Sequence, residues 1–197
     1  PEEPLIFVEV ALVSGMADNV QVLLDEHAPE GDPGKADTAI FYSISNAQPG
    51  LAKVSFGDFL IKQVVDELRR ELPNLKTFAT LSPVPGFAAW LAEFCEAEDE
   101  APWDQAQEAA LVEAAGIGDG REALRSLLAR DDWRRDEAAV AAIRPVLEPL
   151  AARYLLAEKR GRRALDPVEN FHLSNGARLE RINWLGDTSR NGLEGAA

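Results

Sequence analysis

Residues 58–72 read DFLIKQVVDELRREL, and Leu60, Ile61, Val64, Val65, Leu68 and Leu72 recur at the spacing that lines one face of a helix. Lys62, Gln63, Asp66, Arg69 and Arg70 fall largely on the other face. The runs on either side have a different pattern. TAIFYSIS (38–45) and KTFATLS (76–82) are short, apolar and rich in β-branched and aromatic residues, so both read as strands. The strand–loop–helix–strand unit over 38–82 has the length and order of a βαβ crossover. LIFVEVAL (5–12) reads as a further strand, largely buried, and ADNVQVLLD (17–25) carries Val20, Leu23 and Leu24 at helical spacing. A helix through Trp90 and Leu91 follows the segment SPVPGF.

Residues 97–160 change character, being rich in Ala, Glu, Arg and Leu with few β-branched residues. They predict three or four helices, broken at Gly116–Gly120 and near Pro145 and Pro149. No fixed period runs through them, so they read as a helical insertion and not as a repeat array. From Leu165 onward strand and turn chemistry returns. Asn175-Gly176, flanked by alternating residues, is a hairpin signal that puts His172 on a strand entering a tight turn. The fold class expected is α/β (α+β): a mixed sheet with flanking helices, interrupted by a helical insertion at about 97–160.

Composition narrows the function classes. The 197 residues are 46% hydrophobic, enough for one core, or one core plus an appended helical piece. The formal charge of −14 argues against nucleic acid and against an anionic membrane as partners. An anionic ligand would need a local site of backbone N–H groups and a few cations, set against that field. No apolar run is long enough to span a bilayer. The single Cys95 forms no internal disulfide, which fits a reducing compartment. The start, Pro1-Glu2-Glu3-Pro4, has neither an initiating Met nor a leader pattern, and both ends read as cut from a longer chain. The Ala- and Arg-rich composition suggests a bacterial cytoplasmic protein.

Four stretches are candidates for chemistry. QPGLAKVSFG (48–57) joins a strand to the start of a long helix. Such a junction offers unpaired N–H groups and the positive end of a dipole, which suits a pyrophosphate, and Gly50 and Gly57 allow close approach. It resembles the Q/R-x-x-G-x-G/A loop of the GNAT acyltransferase superfamily, with Ala52 at the last position. An ordinary strand-to-helix connection is the plain alternative. In TLSPVPGF, Pro83 and Pro85 stiffen the chain after Ser82, at the strand end where ligands bind α/β sheets. The plain reading there is an N-cap serine with Pro83 at the first helical position. EKRGRR (158–163) places four cations in six residues of an acidic chain. They either decorate a helix end or cradle phosphates. His172 is either a half-buried sheet histidine or a catalytic one, while His27 lies in a charged loop and has no role assigned.

Together these stretches resemble the C-terminal catalytic domain of the malonyl-CoA decarboxylase family. The matching residues are EPLIFVEVAL (3–12), TAIFYSISNAQPGLAKVSFGDFLIKQVV (38–65), LSPVPGF (81–87) and RYLLAEKRGRRALDPVENFHLSNGARLERINWLGDTS (153–189). The resemblance implies a single GNAT-like catalytic domain over 1–197, carrying the insertion. It implies that His172 and Ser82 are the catalytic histidine and serine. Ala52, Lys53, Val54, Ser55, Phe56, Gly57 and Asp58 would form the acyl-CoA-binding loop, with Gln48, Gly50 and Asn170 also at the substrate. The implied reaction takes malonyl-CoA to acetyl-CoA and CO2 in fatty acid metabolism. No metal or organic cofactor is implied, coenzyme A being part of the substrate. Many members carry Glu where Ser55 stands and a small residue where Glu169 stands. Members also continue past position 197 with a Tyr-bearing strand and begin with a helical oligomerisation domain, so the full-length protein is expected to be a homo-oligomer, dimer or tetramer. A GNAT-type acyltransferase and a non-catalytic CoA-binding domain are the competing readings.

Overall fold

The structure is a computed structural model that describes residues 6–29, 31–46, 57–97 and 101–196. The chain divides into two compact units, Pro1–Ser82 with Leu185–Asp187, and Pro83–Trp184 with Thr188–Ala197.

The first unit is a three-stranded mixed sheet in the order β1-β2-β3. Strand β1 (Ile6–Val13) runs antiparallel to β2 (Thr38–Asn46), with an irregularity between Glu9 and Val10. Strand β3 (Thr77–Thr80) runs parallel to β2 from the pair Thr38/Thr77 to Phe41/Thr80. Helix α2 (Gly57–Glu71) supplies the crossover that parallel pairing requires. Its Ile61, Val64, Val65 and Leu68, with Leu72 just beyond, pack on Ala36, Ala39, Phe41 and Leu75, as the helical spacing predicts. β1 is less buried than expected, because among the described residues it pairs on one side only, and Phe7 is half exposed. Asp37 fixes the start of β2. Its carboxylate accepts from Gly15 N (2.7 Å) and the Thr38 hydroxyl (2.8 Å), and its carbonyl accepts from Lys76 N (2.8 Å).

The short helix α1 (Val20–Leu23) holds a late segment in this same unit. Val20 N donates to Gly186 O (2.8 Å), Asn19 Nδ2 to Leu185 O (2.9 Å) and Gln21 Nε2 to Asp187 Oδ1 (2.7 Å).

The second unit is helical around its core. Helices α3 (Phe87–Glu96), α4 (Gln105–Ala115), α5 (Gly120–Leu128) and α6 (Glu137–Leu156) bury Phe87, Leu91, Leu111, Leu124, Leu127, Ile143, Leu147 and Leu150. The break at Gly116–Gly120 is where the glycines indicate: Gly116 ends α4 at φ 69° and Asp119 caps α5. The expected breaks near Pro145 and Pro149 do not occur, since both prolines lie inside the 20-residue α6. The physical reason is a donor from another helix. Pro149 has no N–H for the Pro145 carbonyl, and Gln107 Nε2 donates to that carbonyl instead (3.2 Å). The same Gln107 completes a capping box with Asp104 at the start of α4.

Residues after α6 also depart from the strand reading. EKRGRR forms neither a helix end nor a long strand. Lys159–Arg160 (β4) and Arg163–Ala164 (β5) make a two-residue hairpin that turns at Gly161, φ 66°. Helix α7 (Pro167–Ser174) follows, then an irregular stretch, then α8 (Arg190–Ala196).

Candidate active site

Ser82 leaves the C-terminal end of β3, half-buried, one residue past Leu81, whose N–H donates to Phe41 O (2.9 Å) and closes the β2–β3 ladder. β2 and β3 are parallel, so their C-terminal ends, at Asn46 and Thr80, point to the same edge of the sheet. That edge is where α/β sheets bind ligands. The capping alternative for Ser82 fails, because α3 begins at Phe87 with Gly86 as its N-cap, four residues further on. Of the expected CoA loop, Gln48, Gly50, Ala52, Lys53, Val54, Ser55 and Phe56 lie outside the described residues, while Gly57 and Asp58 open α2.

His172 lies on helix α7, which corrects the hairpin reading. The helix is specified from both ends. Asp166 is its N-cap, accepting from Val168 N and Glu169 N (both 2.9 Å), with Pro167 at the first position and Glu169 in the first turn. At the other end Gly176 takes φ 86°, and the His172 carbonyl accepts from Asn175 N and Ala177 N (both 3.1 Å). The Asn-Gly pair is therefore a helix stop and not a hairpin turn. The His172 ring is half-buried and meets the Phe171 ring edge-on, with centroids 5.1 Å apart. Burial pushes its pKa below the usual histidine value. Asn170 is half-buried within the same helix, its N–H donating to Asp166 O (2.9 Å).

Three further residues lie in or beside this helix and were not singled out as site residues from sequence. Asp166 is 1% exposed and also accepts from the Tyr154 hydroxyl at 3.3 Å. Tyr154 is buried against Phe87 and Trp90, with ring centroids 5.7 and 5.5 Å away. Burial, followed by the Asp166 charge, pushes its pKa up to about 12, so it stays a hydroxyl donor. A Cβ added at Gly86 would collide with that hydroxyl, which is why the residue ending SPVPG has no side chain. Glu169 is 7% exposed, and neither of its carboxyl oxygens has a hydrogen-bond partner among the described residues. An open cavity of about 780 Å³ in the second unit is lined by Leu91, Cys95, Arg125, Trp133 and Arg190 among others. Neither Ser82 nor His172 lines it. No cluster of three or more His, Cys, Asp or Glu side chains capable of holding a metal occurs among the described residues.

Comparison with known proteins identifies the family. The family described as "Malonyl-CoA decarboxylase C-terminal domain" matches residues 1–197. The mitochondrial malonyl-CoA decarboxylase of Anser anser anser is 42% identical over 199 residues, covering 98% of this chain and 40% of the relative. The enzyme of the same name from Rattus norvegicus is 39% identical with the same coverage. The crystal structure of malonyl-CoA decarboxylase from Rhodopseudomonas palustris superimposes with a TM-score of 0.82 at 46% identity, over 98% of this chain and 41% of that one. That from Agrobacterium vitis gives 0.83 at 45% identity, over 98% and 44%. The chain thus spans about two fifths of the length of these relatives. It belongs to the malonyl-CoA decarboxylase C-terminal domain family.

Proposed function

We propose that the protein containing this chain converts malonyl-CoA to acetyl-CoA and CO2, with Ser82 and His172 as its catalytic pair. The observation carrying the reading is similarity to malonyl-CoA decarboxylases along essentially the whole chain, with 42% identity to one curated relative. The chemistry suits the residues. Loss of CO2 leaves a thioester enolate, so charge builds on oxygen, where one well-placed donor is typically worth about 3–4 kcal/mol. The enolate carbon must then be protonated. His172 is the acid in this reading, and its burial-lowered pKa makes the imidazolium a strong donor. Ser82 holds the carboxylate so that its C–C bond aligns with the thioester π system.

The connection 48–58 is the proposed CoA pyrophosphate site, supported by its place before the N-terminus of the 15-residue α2. A GNAT-like description of the sheet is part of the same reading, supported by the parallel β2–α2–β3 crossover. No metal or organic cofactor is assigned. The full-length protein is read as a homo-oligomer, which light scattering would test. A cytoplasmic location is read from composition alone, whereas curated relatives are named mitochondrial. No described helix is long and apolar enough to cross a membrane.

The deciding experiment incubates the full-length protein with malonyl-CoA, with and without an amine acceptor. Acetyl-CoA and CO2 without acceptor support the decarboxylase. Acetyl transfer only with acceptor would move the assignment to an acyltransferase, and binding without turnover to a CoA-binding domain.

A further inference from the structure

The four cations of EKRGRR are unused by the proposed chemistry. Lys159, Arg160, Arg162 and Arg163 are all exposed on the hairpin of β4 and β5, which pairs Lys159 with Ala164 and Arg160 with Arg163. Gly161, at φ 66°, opens the two-residue turn and fixes that register. Residues directly opposite on an antiparallel pair point to the same face, with Cβ atoms about 4.5–5.5 Å apart. The Arg160 and Arg163 side chains are thus held side by side.

Such a pair opposes folding, since like charges directly opposite destabilise a ladder. No carboxylate offsets it: among the described residues none of the four side chains forms an ion pair, whereas Arg130, Arg144, Arg153, Arg178 and Arg190 all do. The chain as a whole carries −14, so an anion is repelled by the general field. Only cations gathered within a screening length, about 8–10 Å, can reverse that locally, and this hairpin gathers them. Guanidiniums are forks of N–H donors that match the oxygens of a phosphate.

The hairpin belongs to the part of the second unit that holds His172. β5 packs against α7, the Lys159 charge reaches Glu169 on that helix, and the Arg160 charge reaches Tyr154. Coenzyme A carries a pyrophosphate and, on its ribose, a 3′-phosphomonoester. The connection 48–58 is assigned to the pyrophosphate, while the monoester, bearing a charge of about −1.5 to −2 at pH 7, has no assigned partner. Resting on the decarboxylase reading, we propose that Arg160 and Arg163 clamp the 3′-phosphate of the substrate's coenzyme A, with Lys159 and Arg162 adding positive charge around it. The clamp makes the opposed guanidiniums useful: the ligand supplies the negative charge that the hairpin lacks.

The test compares malonyl-CoA with malonyl-3′-dephospho-CoA in the full-length protein, wild type and R160Q/R163Q. Hydrogen bonds to charged groups typically move an equilibrium by about tenfold to a hundredfold. Wild type is expected to prefer malonyl-CoA by that factor in kcat/KM, and R160Q/R163Q to lose the preference through a raised KM. Calorimetry with CoA and 3′-dephospho-CoA should give the same difference in affinity. R178Q/R190Q, which removes two exposed arginines elsewhere, should keep the preference. The melting temperature of R160Q/R163Q should not fall, because a like-charge pair is relieved, and a clear fall would mean that the cations serve the fold and overturn the clamp. A wild type indifferent to the 3′-phosphate also overturns it, as does a preference that survives R160Q/R163Q or is lost equally in R178Q/R190Q. A wild type that releases no CO2 from malonyl-CoA overturns the decarboxylase reading alone, since the calorimetric comparison still judges the clamp.

Discussion

Replacing His172 by Ala removes a half-buried imidazole from a helix whose start and stop are fixed by other residues, Asp166 and Gly176. The fold is therefore expected to survive while turnover falls by about 10²–10⁴-fold, the usual worth of a general acid. CoA affinity, measured calorimetrically, should stay near wild type, and a variant keeping more than half of kcat would remove His172 from the mechanism. Ser82→Ala makes a sharper case now that α3 is capped at Gly86 and not at Ser82. Without a cap to lose, the cost of roughly 0.5–2 kcal/mol typical of N-cap serines is not expected. The prediction is a kcat lower by orders of magnitude at nearly constant melting temperature. An active S82A protein with a lowered melting temperature would return the residue to a structural role. Ser82 and His172 drew attention because they stand in distinctive motifs. Asp166, Tyr154 and Gly86 were not, because what marks them is mutual contact between positions far apart in sequence. Glu169 was noticed only as a departure from the family, since its burial cannot be seen in a string of letters.

At the level of elements, the crossover 38–82 was readable in its two strands and its helix, since period and length agree there with β2, α2 and β3. Helix α7 was misread because Asn175-Gly176 was weighed as a hairpin turn. The competing signal lay in the same stretch: Asp166, Pro167 and Glu169 occupy N-cap, first and third positions of a helix, and Gly176 stops it. The prolines of α6 misled for another reason, since the donor that relieves the Pro145 carbonyl comes from Gln107 on α4. A contact between elements also yields a prediction. Gly86→Ala drives a methyl into the Tyr154 hydroxyl and, as an overpacking change, is expected to cost about 1–3 kcal/mol. Tyr154→Phe removes that oxygen and leaves the ring carbon 3.4 Å from the new methyl, at the edge of ordinary contact. By itself Y154F loses the bond to Asp166, worth about 1.5–3 kcal/mol for a charged acceptor. In urea unfolding, G86A/Y154F should be clearly more stable than the two single losses summed would allow. Additive losses would show that the loop and Tyr154 do not press on each other.

For the whole molecule, charge and burial set how stability moves with pH. The chain carries −14 at neutral pH and has a pI near 4.6, so mild acid relieves self-repulsion. Glu169 adds to this trend. Its folded pKa is raised, so between the ordinary carboxylate value, about 4.3, and the folded value the native state binds more protons than the unfolded one. Stability therefore falls as pH rises through that window. Asp37 and Asp136 act in the opposite sense. Their pKa values are lowered, first by the Gly15 N–H and the Ala139 N–H respectively, so their contributions hold above about pH 4 and are lost as pH falls through the folded values. The two trends together predict a melting temperature that peaks in mild acid and declines on both sides. Glu169→Gln isolates one of them, because an amide does not titrate. The melting-temperature difference, E169Q minus wild type, should be flat below about pH 4, rise as pH climbs above that towards the raised folded value, and level off once wild-type Glu169 is ionised. A difference that stays constant from about pH 4 to pH 8 would mean that the carboxyl titrates as it does in the unfolded chain. Its burial could then supply no pH dependence of stability.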